Sequence, residues 1–175
     1  MLSKRLIKRS LRAAAFLSAV FGAMLLGPLG VLAFGGLDLH THWSAASFQS
    51  TGQAPLPGRF AEPLVQIYGA RTYHWRGAFG IHTWLATKRR GAEHYRVHQV
   101  IGWNLLYGGR STVTSRDDLA PDFLWYGASP VLLAERRGDA ADFLIDRIEA
   151  AVAAYPYSFQ YRAWPGPNSN TFTAF

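Results

Sequence analysis

The 175-residue chain contains no cysteine. This absence excludes disulfide bonds, thiolate metal sites and a cysteine nucleophile. It fits an oxidising compartment, in which free thiols are a liability. Charged residues are also few, at 17%, whereas hydrophobic residues make up 49% and aromatic residues 14%. This composition supplies enough apolar material for one packed domain with an appendage.

Acidic residues are absent from the first dozen positions, which carry five basic residues. The whole chain has 18 basic and 11 acidic residues, so without those five the net charge falls from +7 to +2. The basicity is therefore mainly an N-terminal topogenic signal. Because the remainder has no zinc-finger spacing, RNA-recognition signature or basic repeat, we predict no nucleic-acid partner.

Residues 13–34 contain no charged residue and match the ~20 apolar residues that cross a bilayer. Pro28 interrupts the second half of this stretch, which membrane helices tolerate. The basic residues 1–12 predict a cytoplasmic N-terminus, with the rest of the protein outside the cytoplasmic membrane. The long apolar run favours an uncleaved signal anchor. A signal peptide cut after Ala33, which would release the protein, is the alternative.

Residues 35–61 are rich in Gly, Pro, Ser, Thr and Gln, and we predict a linker. His40 and His42 are two residues apart, which would put both rings on one face of a strand, as metal ligation requires. Only Asp38 lies nearby as a further ligand. We therefore predict a polar, membrane-proximal linker, with neither a metal nor another cofactor bound to the chain.

Residues 62–175 are predicted to form an α+β domain, with an antiparallel sheet packed against helices. The first three strands are expected at 62–70, 79–87 and 94–104. A short basic turn joins the second and third, which predicts an antiparallel hairpin. Further strand patterns are found at 105–114, 122–126 and 129–135.

Two acidic segments follow the hairpin. Asp117, Asp118 and Asp122 lack the spacing of a calcium-binding loop, and we interpret them as a solvated loop. Asp139 is the expected N-cap of a helix that Pro156 ends. The buried stripe of this helix is predicted to contain Leu144, Ile148, Ala151 and Tyr155.

A turn followed by a helix start is predicted near the last residue printed. Pro165, Gly166 and Pro167 form the turn, and Asn168 is the expected N-cap of a helix that begins at Ser169. Free backbone N–H groups and the helix dipole converge in such a first turn, which suits an anion or an oxyanion. Taken by itself, the segment is better interpreted as a capped helix start with polar residues, because Asn and Ser are the usual residues of helix caps.

Residues 168–172, Asn-Ser-Asn-Thr-Phe, resemble the Asn-Cys-Asn-x-Phe segment of circularly permuted papain-like proteins. These include NlpC/P60 hydrolases, PPPDE peptidases and the lecithin:retinol acyltransferase group. In them a catalytic histidine on a strand precedes a nucleophilic cysteine at a helix start. The resemblance implies that His82 holds the histidine position and Ser169 the cysteine position. It also implies that His98 or Gln99 orients the imidazole.

A broader resemblance covers most of residues 62–174. It is to a bacterial family of membrane-associated proteins of unknown function, whose members continue past Phe175, so we expect a domain truncated at its C-terminus. The matching motifs are Trp75-Arg76-Gly77-Ala78-Phe79, His82-Thr83-Trp84, Val100-Ile101-Gly102-Trp103, Arg147-Ile148-Glu149-Ala150-Ala151, Ala154-Tyr155-Pro156-Tyr157 and residues 165–172.

The expected function is a non-catalytic binding or scaffold module, because serine does not supply a preformed thiolate–imidazolium pair. Its ligand would be cell-wall peptide or lipid, bound by Asn168, Asn170 and Trp84. The alternative is an amide or ester hydrolase or acyltransferase, with Ser169 as nucleophile, His82 as general base and the Asn168 amide on the oxyanion. A structural envelope protein without a ligand is a third hypothesis.

Overall fold

A computed structural model describes residues 4–175, and its first element is a long helix, α1, at Lys4–Phe34. Within it, Leu6–Phe34 is long and apolar enough to cross a membrane, and none of its most apolar window is buried inside the protein. Pro28 lies inside the helix without ending it. The apolar stretch is therefore compatible with either a signal anchor or a signal peptide.

The sheet confirms the predicted α+β class. It has five strands in the spatial order β4-β3-β2-β1-β5, and every neighbouring pair is antiparallel. The predicted hairpin is present, since β2 and β3 pair antiparallel with Leu85 opposite His98. The strand bounds are β1 Leu64–Arg71, β2 Ile81–Lys88, β3 Arg96–Val100, β4 Val113–Arg116 and β5 Val131–Arg137.

Three strand predictions were wrong in extent. The strand expected at 94–104 spans only Arg96–Val100, because Gly102–Asn104 forms a 3₁₀ helix. The other two fail at turns. The strand expected at 105–114 is a turn up to residue 112, because Gly108 has a φ of +81° and the Gly109 amide donates to Asn104 O. The strand expected at 122–126 forms only isolated bridges, such as Phe123 with Ser50. In both segments a turn overrides the apolar pattern of the sequence.

Two helices pack on one face of the sheet, namely α2 at Asp139–Ala153 and α3 at Ser169–Ala174. The predicted N-cap of α2 was wrong by one residue. Gly138 caps it with a φ of +66°, and Asp139 is its first residue. Most of the predicted buried stripe is confirmed, since Leu144, Ile148 and Tyr155 pack in the core, but Val152 packs there where Ala151 was expected. Ala141 and Ile145 are the fully buried positions.

Chain segments rather than helices cover the other face. The predicted linker lies here: Gln49 O accepts from Leu124 N at 2.8 Å, and Ser47 O accepts from Gly127 N at 2.9 Å. These segments close the larger part of the core. Its buried members are Leu64, Tyr68, Ala70, Trp84, Ala86, Tyr95, Val97, Phe123 and Trp125.

Candidate functional site

His82 is the second residue of β2, and its imidazole is held on two sides. The ring stacks on Trp125, with centroids 3.7 Å apart and planes 13° apart. Its Nε2 lies 2.9 Å from Gln99 Oε1. Because an amide oxygen only accepts hydrogen bonds, this contact places the ring proton on Nε2 and leaves Nδ1 as the basic nitrogen.

Burial makes this histidine hard to protonate. His82 is 4% exposed, and burial lowers its pKa from 6.5 to about 4, although the Gln99 hydrogen bond opposes part of the shift. The ring is therefore neutral at pH 7.

Ser169 is the first residue of α3 and is 3% exposed. The Thr83 amide donates to its Oγ at 3.4 Å. Since that amide nitrogen is bonded to the His82 carbonyl carbon, Ser169 Oγ lies within about 6 Å of His82 Cα. Residues 87 positions apart in the sequence thus lie side by side, although within residues 4–175 no hydrogen bond joins their side chains.

Asn168 is the N-cap of α3, as predicted, and its side chain is fully engaged. Its Oδ1 accepts from the Asn170 and Thr171 amides at 3.0 and 3.1 Å, and its Nδ2 donates to Ala163 O at 3.1 Å. Two of the first-turn N–H groups that the sequence suggested for an anion are therefore occupied by the cap.

The other two residues predicted to bind a ligand have structural contacts. Asn170 Oδ1 accepts from Thr83 Oγ1 at 3.0 Å, which ties α3 to β2. Trp84 is fully buried, and its indole N–H donates to Pro121 O at 2.7 Å. No surface of Trp84 is open to a ligand in this structure.

His98 lies on the opposite face of the sheet from His82. Strand side chains alternate between faces, so Gln99 reaches the His82 ring and its neighbour His98 does not. His98 is fully buried. Its Nδ1 is 2.7 Å from Ser115 Oγ, and its Nε2 is 3.7 Å from Glu149 Oε1. Burial lowers the pKa of His98, while the Glu149 carboxylate opposes the shift.

Sequence reasoning missed Trp125 and the cavity beside it. The cavity has a volume of about 480 Å³ and lies between residues 35–38, which follow α1, and the end of the sheet. Trp125 gave no sequence signal beyond an apolar run, because its contact with His82 is formed only in the folded protein. The lining includes apolar Leu37, Ile81, Trp125 and Val131, and polar Asp38, Arg71 and His74.

The histidine pair of the predicted linker makes a local contact. His42 Nδ1 lies 2.8 Å from Ser44 Oγ. Across the described residues 4–175, no group of three or more His, Cys, Asp or Glu side chains is arranged to hold a metal ion.

Residues 62–175 match a family described as Protein of unknown function (DUF3750). Neither a curated protein nor a solved structure matches the chain. This match agrees with the prediction, made from the sequence motifs, of an uncharacterised family. The papain-like resemblance gains no support from it and stays a hypothesis.

Proposed function

Because the chain belongs to the DUF3750 family of unknown function, we propose its role from the geometry of the site. The protein is a membrane-anchored envelope protein, and its folded region is a non-catalytic binding module on a permuted papain-like scaffold. One observation carries this proposal. His82 and Ser169 are both more than nine-tenths buried, and within residues 4–175 no hydrogen bond joins their side chains.

The burial of His82 and Ser169 and the chemistry of their neighbours disfavour catalysis for physical reasons. A general base works best with a pKa near the operating pH, whereas that of His82 is lowered to about 4. A serine hydroxyl also needs a strong base, because it ionises far less readily than a thiol. Gln99 orients the ring but carries no charge to stabilise an imidazolium.

The cavity beside Trp125 is the proposed ligand site. Its volume of about 480 Å³ lies in the range of roughly 300–1,000 Å³ that is typical of small-molecule sites. Apolar walls and the charged side chains of Asp38 and Arg71 suit an amphipathic ligand. Cell-wall peptide and lipid both meet this description.

The anchor is assigned to α1. Its length and apolar composition support a membrane span, and the basic residues before it favour a cytoplasmic N-terminus. The folded region then lies outside the cytoplasmic membrane, where cell-wall peptide and the outer lipid leaflet are both within reach. Secretion after signal cleavage is the alternative.

The binding proposal is tested by filling the cavity. Ser129 lines it and is exposed, so Ser129→Trp should weaken binding by at least about 10-fold. The probes are a disaccharide-pentapeptide and dihexanoylphosphatidylglycerol, titrated calorimetrically into the full chain in detergent. Ala150→Trp, at an exposed position of α2, is the control and should bind like the parent. Equal affinity of the two variants, or no binding of either probe to the parent, would contradict the proposal.

A Ser/His hydrolase is the second candidate, favoured by the closeness of Ser169 to His82 and by the Nδ1 of that ring, which makes no hydrogen bond to any of residues 4–175. A fluorophosphonate probe distinguishes the two functions. We expect no labelling of Ser169 in the full chain, because its hydroxyl is buried. If mass spectrometry detects labelling of Ser169 that is lost in His82→Gln, the hydrolase becomes the favoured function. A known serine hydrolase treated in parallel controls for probe reactivity.

A further inference from the structure

An exposed aromatic surface lies between β1 and β2. We define it by Trp75, Arg76 and Phe79, of which the first two lie in the short 3₁₀ helix His74–Ala78. Trp75 is 54% exposed and Phe79 58% exposed, and their rings meet edge to face with centroids 6.0 Å apart. The Arg76 guanidinium lies 5.1 Å from the Trp75 ring centroid. Two large aromatic rings thus remain uncovered beside a cation.

This aromatic surface is close to the end of α1. The 3₁₀ helix packs against α1. Gly77 also lies close to the segment that follows α1, because a Cβ added to Gly77 would be 2.9 Å from Leu37 Cδ2. Leu37 is three residues beyond Phe34, the last residue of the candidate span. Three residues extend at most about 11 Å. If α1 crosses a bilayer, the aromatic surface is therefore held near its headgroup layer.

The side chains of the aromatic surface and its position near the end of α1 both favour membrane lipid as its partner. Tryptophan rings are enriched where a membrane meets water, because one part of the ring is apolar and its N–H needs a polar partner. A guanidinium pairs readily with lipid phosphate. Exposed in water, the Trp75 and Phe79 rings are an unexplained apolar patch. In the interfacial layer they are buried.

We propose that the aromatic surface rests in the headgroup layer of the bilayer that α1 crosses, as a second membrane contact. The inference rests on the membrane anchor of the proposed function. It fixes the orientation of the folded region, with the Arg71 end of β1 toward the lipid and the Leu64 end about 23 Å away. The cavity beside Trp125 then opens at the membrane surface.

The test uses single cysteines, since the chain has none of its own. Gly22 in α1, Gly80 beside the aromatic surface and Gly58 near the far end of the sheet all have open space for a Cβ, and none has a positive φ. Each Gly→Cys variant of the full chain is labelled with nitrobenzoxadiazole and reconstituted in phosphatidylglycerol–phosphatidylethanolamine vesicles. Quenching is measured with headgroup-nitroxide lipid, acyl-chain nitroxide lipid and aqueous iodide.

We expect acyl-chain quenching at Gly22→Cys, headgroup quenching at Gly80→Cys and iodide quenching at Gly58→Cys. Headgroup quenching should be about 3-fold stronger at position 80 than at position 58. Adding Trp75→Ser and Phe79→Ser to the Gly80→Cys variant should lower the headgroup quenching at position 80 toward the value at position 58.

The outcomes separate this inference from the anchor. Iodide quenching at position 22 would overturn both the anchor and the aromatic contact. Acyl-chain quenching at position 22, together with equal values at 80 and 58, would overturn the contact alone. Headgroup quenching at position 80 that is unchanged by Trp75→Ser and Phe79→Ser would mean that these rings do not bind lipid, which also overturns the inference.

Discussion

Replacing Asp122 by alanine should lower the free energy of unfolding by about 4 kcal/mol. The residue is 1% exposed, yet its carboxylate accepts four hydrogen bonds. Ser50 Oγ and Thr51 Oγ1 donate at 2.8 and 3.1 Å, and the amides of Gln53 and Ala54 at 2.6 and 3.2 Å. Burial alone would raise the pKa of Asp122, but these donors outweigh it and lower the pKa. Alanine would leave both amides unpaired.

In Asp122→Ala, the loss of global stability should be accompanied by local opening of the segment that the carboxylate holds. Four hydrogen bonds tie residues 50–54 to this carboxylate, so the amide hydrogen exchange of that segment should accelerate in Asp122→Ala. Urea unfolding of the full chain in detergent gives the stability change. Asp117→Ala is the matched control, because its carboxylate is exposed and lies 3.9 Å from Arg96; we expect a change below about 0.5 kcal/mol. Similar losses in the two variants would contradict the anchoring role of Asp122.

The burial of Asp122 was not predicted from the sequence. In the sequence it stands with Asp117 and Asp118, and three acids in a polar stretch are normally solvated. The partners that bury it come from residues 50–54, about 70 positions earlier. That segment has the composition of a linker. A pattern based on local composition does not reveal a long-range hydrogen-bond network.

The sheet was more predictable than the site. The apolar patterns at 62–70, 79–87 and 94–104 identified β1, β2 and β3, although these strands are buried on both faces and so lack the clean alternation of a half-buried strand. The Asn168 cap was equally clear, since local rules determine it. Nothing in the spacing of His82 and Ser169 implied that they would be adjacent; only the family resemblance suggested it. The stacking of Trp125 on His82 was not predicted at all.

The chain should also lose stability as the pH is lowered from 7 toward 4, because His82 is buried in its neutral form. An unfolded histidine binds a proton near pH 6.5, whereas in the folded chain the pKa of His82 is about 4. Between these values the unfolded state holds the extra proton, so acidification favours unfolding. The contribution of His82 is on the order of 3 kcal/mol, present above pH 7 and lost as the pH falls to about 4.

Comparison of slopes isolates this contribution. His98 also has a pKa lowered by burial, so the parent chain should lose stability from both rings. Unfolding free energies of the parent, His82→Gln and His98→Asn, measured between pH 7 and 4.5, should give a shallower slope for each variant. An NMR titration of the His82 ring in the parent reports its pKa directly. A pKa near 6.5, with parent and His82→Gln slopes equal, would mean that the ring reaches water. It would then be basic enough at neutral pH to serve Ser169, and the order of the two proposed functions would reverse.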